Sequence, residues 1–262
     1  MIGKAMLDEN SLAVFYTRVS SLLPDQIGSL VRVLGPEETN RAARFVFAKD
    51  RELYIAAHAL LRFGFSSAGC APQCQLRSDS YGKPELETPF GDPPLRFNLS
   101  HTNRLAACVL SYGHAVGIDV EEINRSLDFE AITRKAFAPE EQLLLDATTP
   151  GDRPVTFFRL WTLKEAIIKG IGRGLMIPTA HFAFKLDPLS VNIAPNAGED
   201  SATWHLQELA PTANHRLAIA AKRSSQTILS VTSADISITT LIKWSRDLAV
   251  GVKQADHAAK LR

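Results

Sequence analysis

The stretch Val-Gly-Ile-Asp-Val-Glu-Glu at residues 116–122 decides how this chain can fold. Its apolar residues predict a β-strand, in which Asp119 and Glu121 point to one face and Ile118 and Val120 to the other. Both acids could simply face water, as most charged residues on a half-buried strand do. Two like charges side by side are costly in an apolar setting, and a divalent cation would relieve their repulsion. The stretch therefore predicts either a solvent-facing strand surface or a metal site.

A second stretch, LWTLKEAIIKGIGRG at residues 160–174, predicts a long amphipathic helix. Glu165 and Lys169 are four residues apart and are therefore neighbours on one face of that helix. They could be an ordinary surface pair worth about 0.3–0.5 kcal/mol, and Lys164 could be a solvated charge. If the helix packs on the strand, however, three carboxylates and a lysine converge. Such a group predicts a site for Mg²⁺ and a phosphorylated ligand.

Composition excludes several classes of protein. With 29 Lys and Arg against 28 Asp and Glu, the net charge is +1, which gives no reason to expect binding to nucleic acid or to a membrane. The three cysteines are too few for a disulfide framework, and Cys70 and Cys74 lack the second pair that a zinc site would need. No apolar run approaches the roughly 18 residues of a membrane span, and no signal peptide is recognisable. We expect a soluble, cytoplasmic protein.

Two pairs of stretches resemble each other along the chain. APEEQLLL at 138–145 repeats the character of GPEETNRA at 35–42, and NHRLAIAAK at 214–222 repeats that of TNRLAACVL at 102–110. Each opening Pro-Glu-Glu is typical of a helix start, because proline suits the first helical position and acids suit the first turn. Together the repeats predict an α/β (α+β) fold of two pseudo-symmetric halves.

The expected division of the chain follows from these repeats. We expect an N-terminal half at 1–114, a C-terminal half at 115–240 and a polar, basic helical tail at 241–262 that frays towards its end. Other elements predicted from the pattern are a strand at 11–19, helices that begin near Pro36 and Asp50, and strands at 95–99, 104–111 and 115–121.

Further polar groups lie where ligands are often bound. The sequence FNLSH ends a predicted strand with Ser100 and His101, a position from which loops present functional side chains. Arg41 and Arg44 share one helix face, and Lys83 lies in a Gly-Lys-Pro turn. Taken one by one, His101 could be a structural histidine, and Arg41, Arg44 and Lys83 could be solvated surface cations. The alternative is phosphate binding.

Taken together and in order, the motifs resemble those of the 4′-phosphopantetheinyl transferases. They are the Pro-Glu-Glu helix start with its arginines, YGKP at 81–84, FNLSH at 97–101, GIDVE at 117–121 and LWTLKEAIIKGIGRGL at 160–175. The resemblance spans about residues 35–222. It is to the larger, pseudo-dimeric class typified by the surfactin-synthetase activator.

The resemblance implies a role for each matching residue. Asp119, Glu121 and Glu165 match the Mg²⁺ ligands of the family, and Glu165 is also the candidate base. Lys169 matches the lysine that holds the phosphates of coenzyme A (CoA). Because some relatives have no acidic residue at the position of Glu121, its role as a metal ligand is the most variable of the three.

The same resemblance implies CoA contacts for further residues. Ser100 and His101 match the motif at the 3′-phosphate, Arg41 and Lys83 match basic CoA-binding positions, and Asp119 joins them near the phosphates. Residues 172–178 match the segment that recognises the carrier protein, although a buried strand entry is the competing interpretation. One departure is Glu38, where some relatives carry a basic residue that Arg44 could replace.

The implied reaction transfers the 4′-phosphopantetheine arm of CoA to a serine of an apo acyl or peptidyl carrier protein and releases adenosine 3′,5′-bisphosphate. The partners implied are CoA and the carrier, and internal duplication suggests a monomer. Two alternatives stay open, a Mg²⁺-dependent hydrolase of CoA or nucleotide pyrophosphates and an inactive carrier-binding module.

Overall fold

A computed structural model describes residues 7–124, 126, 128–223 and 228–260, with the side chains of residues 175 and 250–260 outside this description. The elements in chain order are β1 Ser11–Arg18, α1 Pro24–Val31, α2 Pro36–Ala42, α3 Ala48–Ser67, β2 Leu76–Ser78, β3 Pro84–Leu86, β4 Leu95–Thr102, β5 Leu105–Tyr112, β6 Ala115–Glu122, α4 Glu130–Ala136, α5 Pro139–Ala147, α6 Arg153–Ile171, β7 Phe182–Leu186, β8 Leu189–Ile193, β9 Trp204–Leu209, β10 His215–Lys222, β11 Ser230–Asp235 and α7 Ile238–Lys260.

The strands form two main sheets. The first has the order β11-β1-β5-β4 and the second the order β6-β10-β9, with β2–β3 and β7–β8 as separate hairpins. β5 lies antiparallel to β1, with Cys108 opposite Phe15, and β10 lies antiparallel to β6, with Ala218 opposite Asp119. The three strands predicted between residues 95 and 121 are therefore confirmed, with ends shifted by one to three residues.

Alternation along each strand explains how the sheets and helices stack. The two sheets meet in a shared apolar cluster formed by Leu12, Val14, Leu105, Ala107, Val109, Val116, Ile118, Val120, Leu217, Ile219, Ala221 and Leu229. The opposite face of the first sheet packs on α3, and the opposite face of the second sheet packs on α6. The order of layers is thus helix, sheet, sheet and helix, which confirms the predicted α/β fold class.

The repeated stretches correspond to equivalent elements of the two halves. Helices α2 and α5 both begin with proline, and in each the third helical residue is a glutamate that caps the helix start. Glu38 accepts a hydrogen bond from the Gly35 N–H at 2.6 Å, and Glu141 accepts one from the Ala138 N–H at 2.8 Å. β5 and β10, which carry the other repeat, are both interior strands of their sheets.

The C-terminal segment returns to the N-terminal half. β11 pairs in parallel with β1, and α7 packs on the first core, with Ser245 fully buried. Arg246 donates to Asp25 at 2.9 Å and to Ser29 at 3.1 Å. The expected boundary at residue 240 therefore falls inside α7, and the helix is anchored at least as far as Arg246, beyond the point where a fraying tail was expected to begin.

The two sheets are joined along β4 and β6, which lie at the edges of their sheets. Three alternate side chains of β4 accept hydrogen bonds from backbone N–H groups of β6: Asn98 from Ile118 at 2.9 Å, Ser100 from Val120 at 3.4 Å and Thr102 from Glu122 at 3.4 Å. These side chains replace the backbone carbonyls that a continuous sheet would provide. The seam brings the FNLSH sequence directly beside GIDVE.

In the part of the chain that the structure describes, no helix combines the length and the apolar character needed to cross a bilayer.

Candidate active site

Glycine at position 117 allows helix α6 to approach strand β6 very closely. A Cβ atom at Gly117 would lie 2.0 Å from the Ala166 carbonyl oxygen and 2.3 Å from the Gly170 nitrogen, so any larger residue would force the two elements apart. Asp119 and Glu121 share the face of β6 that carries Gly117. They therefore face α6, while Ile118 and Val120 are buried between the sheets.

Asp119 is the centre of the arrangement, with only 3% of the residue exposed. Its Oδ1 accepts hydrogen bonds from Lys169 Nζ at 2.6 Å and from Ser100 Oγ at 2.9 Å, and Lys169 also donates to Ser100 Oγ at 3.0 Å. Its Oδ2 is buried and makes no hydrogen bond within the described residues. A buried carboxylate oxygen without a donor is costly, so Oδ2 marks a place for a ligand.

The other two carboxylates are near enough to Asp119 to be affected by its charge. Burial and the charge of Asp119 raise the pKa of Glu121 to about 7, although Glu121 accepts a hydrogen bond from Thr102 at 3.0 Å. Burial and the same charge raise the pKa of Glu165. Mutual repulsion of this kind is relieved when a cation is bound.

The expected metal cluster is not gathered tightly. Within the residues that the structure describes, no three His, Cys, Asp or Glu side chains are arranged to hold a metal ion. The ammonium of Lys169 lies on Asp119, not in the alternative surface pair with Glu165. The chemistry of the donor set nevertheless fits Mg²⁺, because three neighbouring carboxylates and the orphaned Oδ2 of Asp119 are hard oxygen ligands.

A second group of polar residues lies beside the first. His101 follows Ser100 on β4 and is open to solvent on one side. Partial desolvation lowers the pKa of His101, and the charges of His58, Lys169 and Arg41 lower it further. His101 lines a cavity of about 560 Å³ and Arg41 lines one of about 670 Å³, and Phe45 contributes to the lining of both. Arg44 also lines the larger cavity.

Lys83 has a different environment from the one expected of a CoA ligand. Its ammonium donates to three carbonyl oxygens, two at the end of α6, those of Lys169 at 2.6 Å and Gly170 at 3.1 Å, and one on β6, that of Val116 at 3.1 Å. Burial lowers the pKa of Lys83 to about 8. All three donors of the ammonium are thus used to join the β2–β3 hairpin to α6 and β6.

Two family sequence models match successive stretches of the chain. The first, described as 4′-phosphopantetheinyl transferase, N-terminal, matches residues 23–111, and the second, described as the 4′-phosphopantetheinyl transferase superfamily, matches residues 115–220. The chain belongs to the 4′-phosphopantetheinyl transferase superfamily. This membership confirms the predicted family and enzyme class. It favours the transferase over the hydrolase and the inactive binding module.

Individual relatives of this transferase agree. It is 32% identical over 200 residues to 4′-phosphopantetheinyl transferase HetI of Nostoc sp., which covers 74% of this chain and 81% of the relative. It is 29% identical over 202 residues to 4′-phosphopantetheinyl transferase gsp of Aneurinibacillus migulanus, covering 76% and 81%. It is 28% identical over 214 residues to the human L-aminoadipate-semialdehyde dehydrogenase-phosphopantetheinyl transferase, covering 74% and 68%.

The structure of the transferase also explains Glu38, which is not basic as in some relatives. The carboxylate is buried, and it forms an ion pair with Arg62 at 2.9 Å and contacts His58 Nδ1 at 2.8 Å. Burial alone would raise the pKa of Glu38, but the hydrogen bond and charge of His58, the charge of Arg62 and the Gly35 N–H hold it below its usual value. Glu38 is therefore an ionised interior anchor between α2 and α3.

The C-terminal half of the transferase contains an equivalent anchor. Lys164 and Glu141 are both fully buried and their charged atoms are 2.6 Å apart. Lys164 also donates to the carbonyls of Thr179 and Phe182. The interpretation of Lys164 as a solvated charge is therefore wrong. The repeated Pro-Glu-Glu stretches could have predicted both anchors. The second glutamate of each stretch pairs with a cation at nearly the same distance along the chain, Glu38 with Arg62 after 24 residues and Glu141 with Lys164 after 23.

The segment at 172–178 combines both interpretations given to it. Gly172 ends α6 with a φ of 78°, a left-handed conformation that favours glycine, and residues 174–176 form one 3₁₀ turn. Ile177 is buried, whereas Met176 is 72% exposed and Arg173 is also exposed. The side chain of Leu175, the other apolar residue expected to meet a carrier, lies outside the described residues.

Proposed function

We propose that this transferase moves the 4′-phosphopantetheine arm of CoA to a serine hydroxyl of an apo acyl or peptidyl carrier protein. The serine oxygen would bond to the β-phosphorus, the bond from that phosphorus to the bridging oxygen would break, and adenosine 3′,5′-bisphosphate would leave. The observation that carries the proposal is the junction of Ser100, Asp119 and Lys169 at the β4–β6 seam, with Glu165 on the adjacent turn of α6.

The residues of this junction suit the steps of such a transfer. Glu165 has a raised pKa and makes no hydrogen bond within the described residues, so it is suited to take the serine proton directly or through water. Lys169 is 29% exposed and supplies positive charge where the pyrophosphate would bind. Its bond to Asp119 keeps the ammonium oriented until the substrate enters.

A magnesium ion is part of the proposal. Asp119, Glu121 and Glu165 would hold it, with the orphaned Asp119 Oδ2 as the ligand that the structure best supports. When bound, Mg²⁺ neutralises charge on the pyrophosphate and on the leaving oxygen. Without it, the repulsion among the three acids is offset only in part by Lys169.

The nucleotide end of CoA would lie beside His101 and Arg41. Both are exposed towards the cavities that Phe45 helps to line, and both can donate charge-assisted hydrogen bonds to a phosphate. Lys83 is left out of this contact because its three donors are already used. We further propose that the protein is cytoplasmic and monomeric, with its two halves at 1–114 and 115–240 enclosing the substrate.

The reaction is tested by incubating the protein with CoA, Mg²⁺ and an apo carrier protein, followed by mass spectrometry of the carrier. We expect the carrier to gain one phosphopantetheine group and adenosine 3′,5′-bisphosphate to accumulate in equal amount. Hydrolysis of CoA with an unmodified carrier would favour the hydrolase. No change in either would favour the inactive module.

CoA binding should depend on its 3′-phosphate through His101. We expect 3′-dephospho-CoA to bind more weakly than CoA to the unaltered protein, and His101→Ala to shrink that difference. The variant would lose a hydrogen bond to a charged group, worth about 1.5–3 kcal/mol. Isothermal titration calorimetry with both ligands measures the difference. Equal discrimination by the two proteins would show that His101 is not the phosphate contact.

Carrier recognition should involve the exposed residues of the segment at 172–178. Met176 offers an apolar contact and Arg173 a cation for an acidic carrier surface. We expect Arg173→Glu with Met176→Asp to raise KM for the carrier about tenfold or more, on the scale of losing one exposed anchor residue. KM for CoA and the melting temperature should not change.

The buried neighbour Ile177 provides the matched control for that experiment. Ile177→Asp should lower the melting temperature, because a charge would be placed in the core. An unchanged carrier KM in the Arg173 and Met176 variant, or a loss of stability equal to that of Ile177→Asp, would assign the whole segment to the core.

A further inference from the structure

Three side chains from α2 and α3 form a stack. The imidazole of His58 lies against the ring of Tyr54, with ring centroids 4.2 Å apart and planes inclined at 37°. The guanidinium of Arg41 lies over the same Tyr54 ring at 5.7 Å. The charge of His58 is also among those that lower the pKa of His101, so His58 lies near His101 as well as against Tyr54.

The His58 ring is held by one nitrogen and free at the other. Nδ1 is 2.8 Å from Glu38 Oε1, and Glu38 is kept ionised by Arg62 and Gly35, so Nδ1 carries the proton of this hydrogen bond. Within the described residues, Nε2 makes no hydrogen bond, and 16% of the side chain is exposed. A ring fixed in this way leaves Nε2 as the nitrogen that can bond to an anion.

Several cations lie close to His58. Its neighbours are Glu38, Tyr54 and His101, while Arg41 lies over the Tyr54 ring and Arg62 pairs with Glu38. Glu38 is the one carboxylate among them, and Arg62 and the Gly35 N–H already share it. Lys169 is paired with Asp119. Arg41, His58 and His101 therefore bring together three side chains that can each bond to a bound dianion.

We propose that His58 is a third ligand of the CoA 3′-phosphate, beside Arg41 and His101, and that Glu38 is the positioning residue that holds its ring. The inference rests on the proposed function and adds to it a residue on α3 that no sequence motif singled out. A phosphate monoester fits this place because its dianion can accept from several donors at once.

Two substitutions of His58 separate binding from folding. His58→Asn keeps a donor near the Nδ1 position, preserves the hydrogen bond to Glu38 and removes Nε2. His58→Ala removes both. Calorimetric affinities for CoA and for 3′-dephospho-CoA are measured for each, with Arg134→Ala as the control because Arg134 is an exposed cation on α4 paired only with Glu130.

For the unaltered protein and for Arg134→Ala we expect the same preference for CoA over 3′-dephospho-CoA. For His58→Asn we expect that preference to fall roughly tenfold, the loss expected for one hydrogen bond to a charged group, with an unchanged melting temperature. Affinity for 3′-dephospho-CoA should be unchanged in His58→Asn. Glu38→Gln should lower the preference by a smaller factor, since the ring stays hydrogen-bonded but loses its counter-charge.

Other outcomes overturn the inference in distinguishable ways. If His58→Asn keeps the full preference, or weakens both ligands equally, His58 does not bind the 3′-phosphate, while the proposed function stands. If the unaltered protein itself shows no preference between the ligands, the proposed 3′-phosphate site fails and this inference fails with it.

Discussion

Glu165→Ala is expected to lower the rate of phosphopantetheine transfer by at least about 100-fold, the scale of losing one electrostatic stabiliser of a transition state. Asp119→Ala should have an effect of the same size, because Asp119 supplies the orphaned Oδ2 and orients Lys169. Glu121→Ala should cost less, since this position is the most variable in the resemblance. Rates are measured by mass spectrometry of the carrier at saturating Mg²⁺.

Glu122→Ala is the matched control for these variants. Glu122 is the next residue along β6, is partly exposed and accepts a hydrogen bond from Asn103 at 2.8 Å, outside the junction. We expect nearly unaltered activity in this variant and an unchanged melting temperature in Glu165→Ala. Turnover near the unaltered rate in Glu165→Ala would remove Glu165 from the mechanism, and transfer that persists in excess chelator would remove the metal.

The largest effect on stability is expected from the buried pair of Lys164 and Glu141. Glu141→Ala would leave the ammonium of Lys164 fully buried without a carboxylate partner among the described residues, in contact with the carbonyls of Thr179 and Phe182 and the rings of Phe137 and Phe184. Removing one partner of a buried ion pair typically lowers the free energy of unfolding by about 3–5 kcal/mol. Denaturant unfolding followed by circular dichroism measures the change.

A double variant and a surface pair sharpen this experiment. Lys164→Met with Glu141→Leu removes both charges and should recover much of the stability, because replacing a buried ion pair by apolar residues is often nearly neutral. Glu130→Ala breaks the exposed pair with Arg134 and should change the free energy of unfolding by no more than about 0.5 kcal/mol. A loss that small in Glu141→Ala would mean that the pair contributes little to the C-terminal core.

The Glu38 anchor contacts His58, the proposed phosphate ligand, whereas the Glu141 anchor lies in the C-terminal core. Glu38 holds His58 as well as Arg62, so substitutions there should affect both stability and CoA preference. Glu141 accepts instead from the Phe184 N–H at 2.9 Å and from Ala138. The two equivalent capping glutamates, Glu38 and Glu141, therefore have different partners in the two halves.

Local patterns in the sequence determined the elements that carry the site. The two-residue period of a strand places Asp119 and Glu121 of GIDVE on one strand face, and the four-residue spacing of Glu165 and Lys169 places these two on one helix face. Both patterns can be read from the sequence because they depend only on backbone geometry. The two Pro-Glu-Glu helix starts likewise depend on local capping and predicted the duplicated halves.

Tertiary structure alone decided which of these groups meet. Lys169 pairs with Asp119 because Gly117 lets α6 lie against β6, and Lys83 joins the end of α6 because the hairpin of β2 and β3 folds beside it. The partner of a long flexible cation depends on which carbonyls and carboxylates the packing brings within reach. These partners are 50 and 86 positions apart in the sequence, so no local pattern predicts that they meet. For the same reason the sequence specified a duplicated α/β transferase, while the place of His58 beside Glu38 and His101 was set only when α2, α3 and β4 packed together.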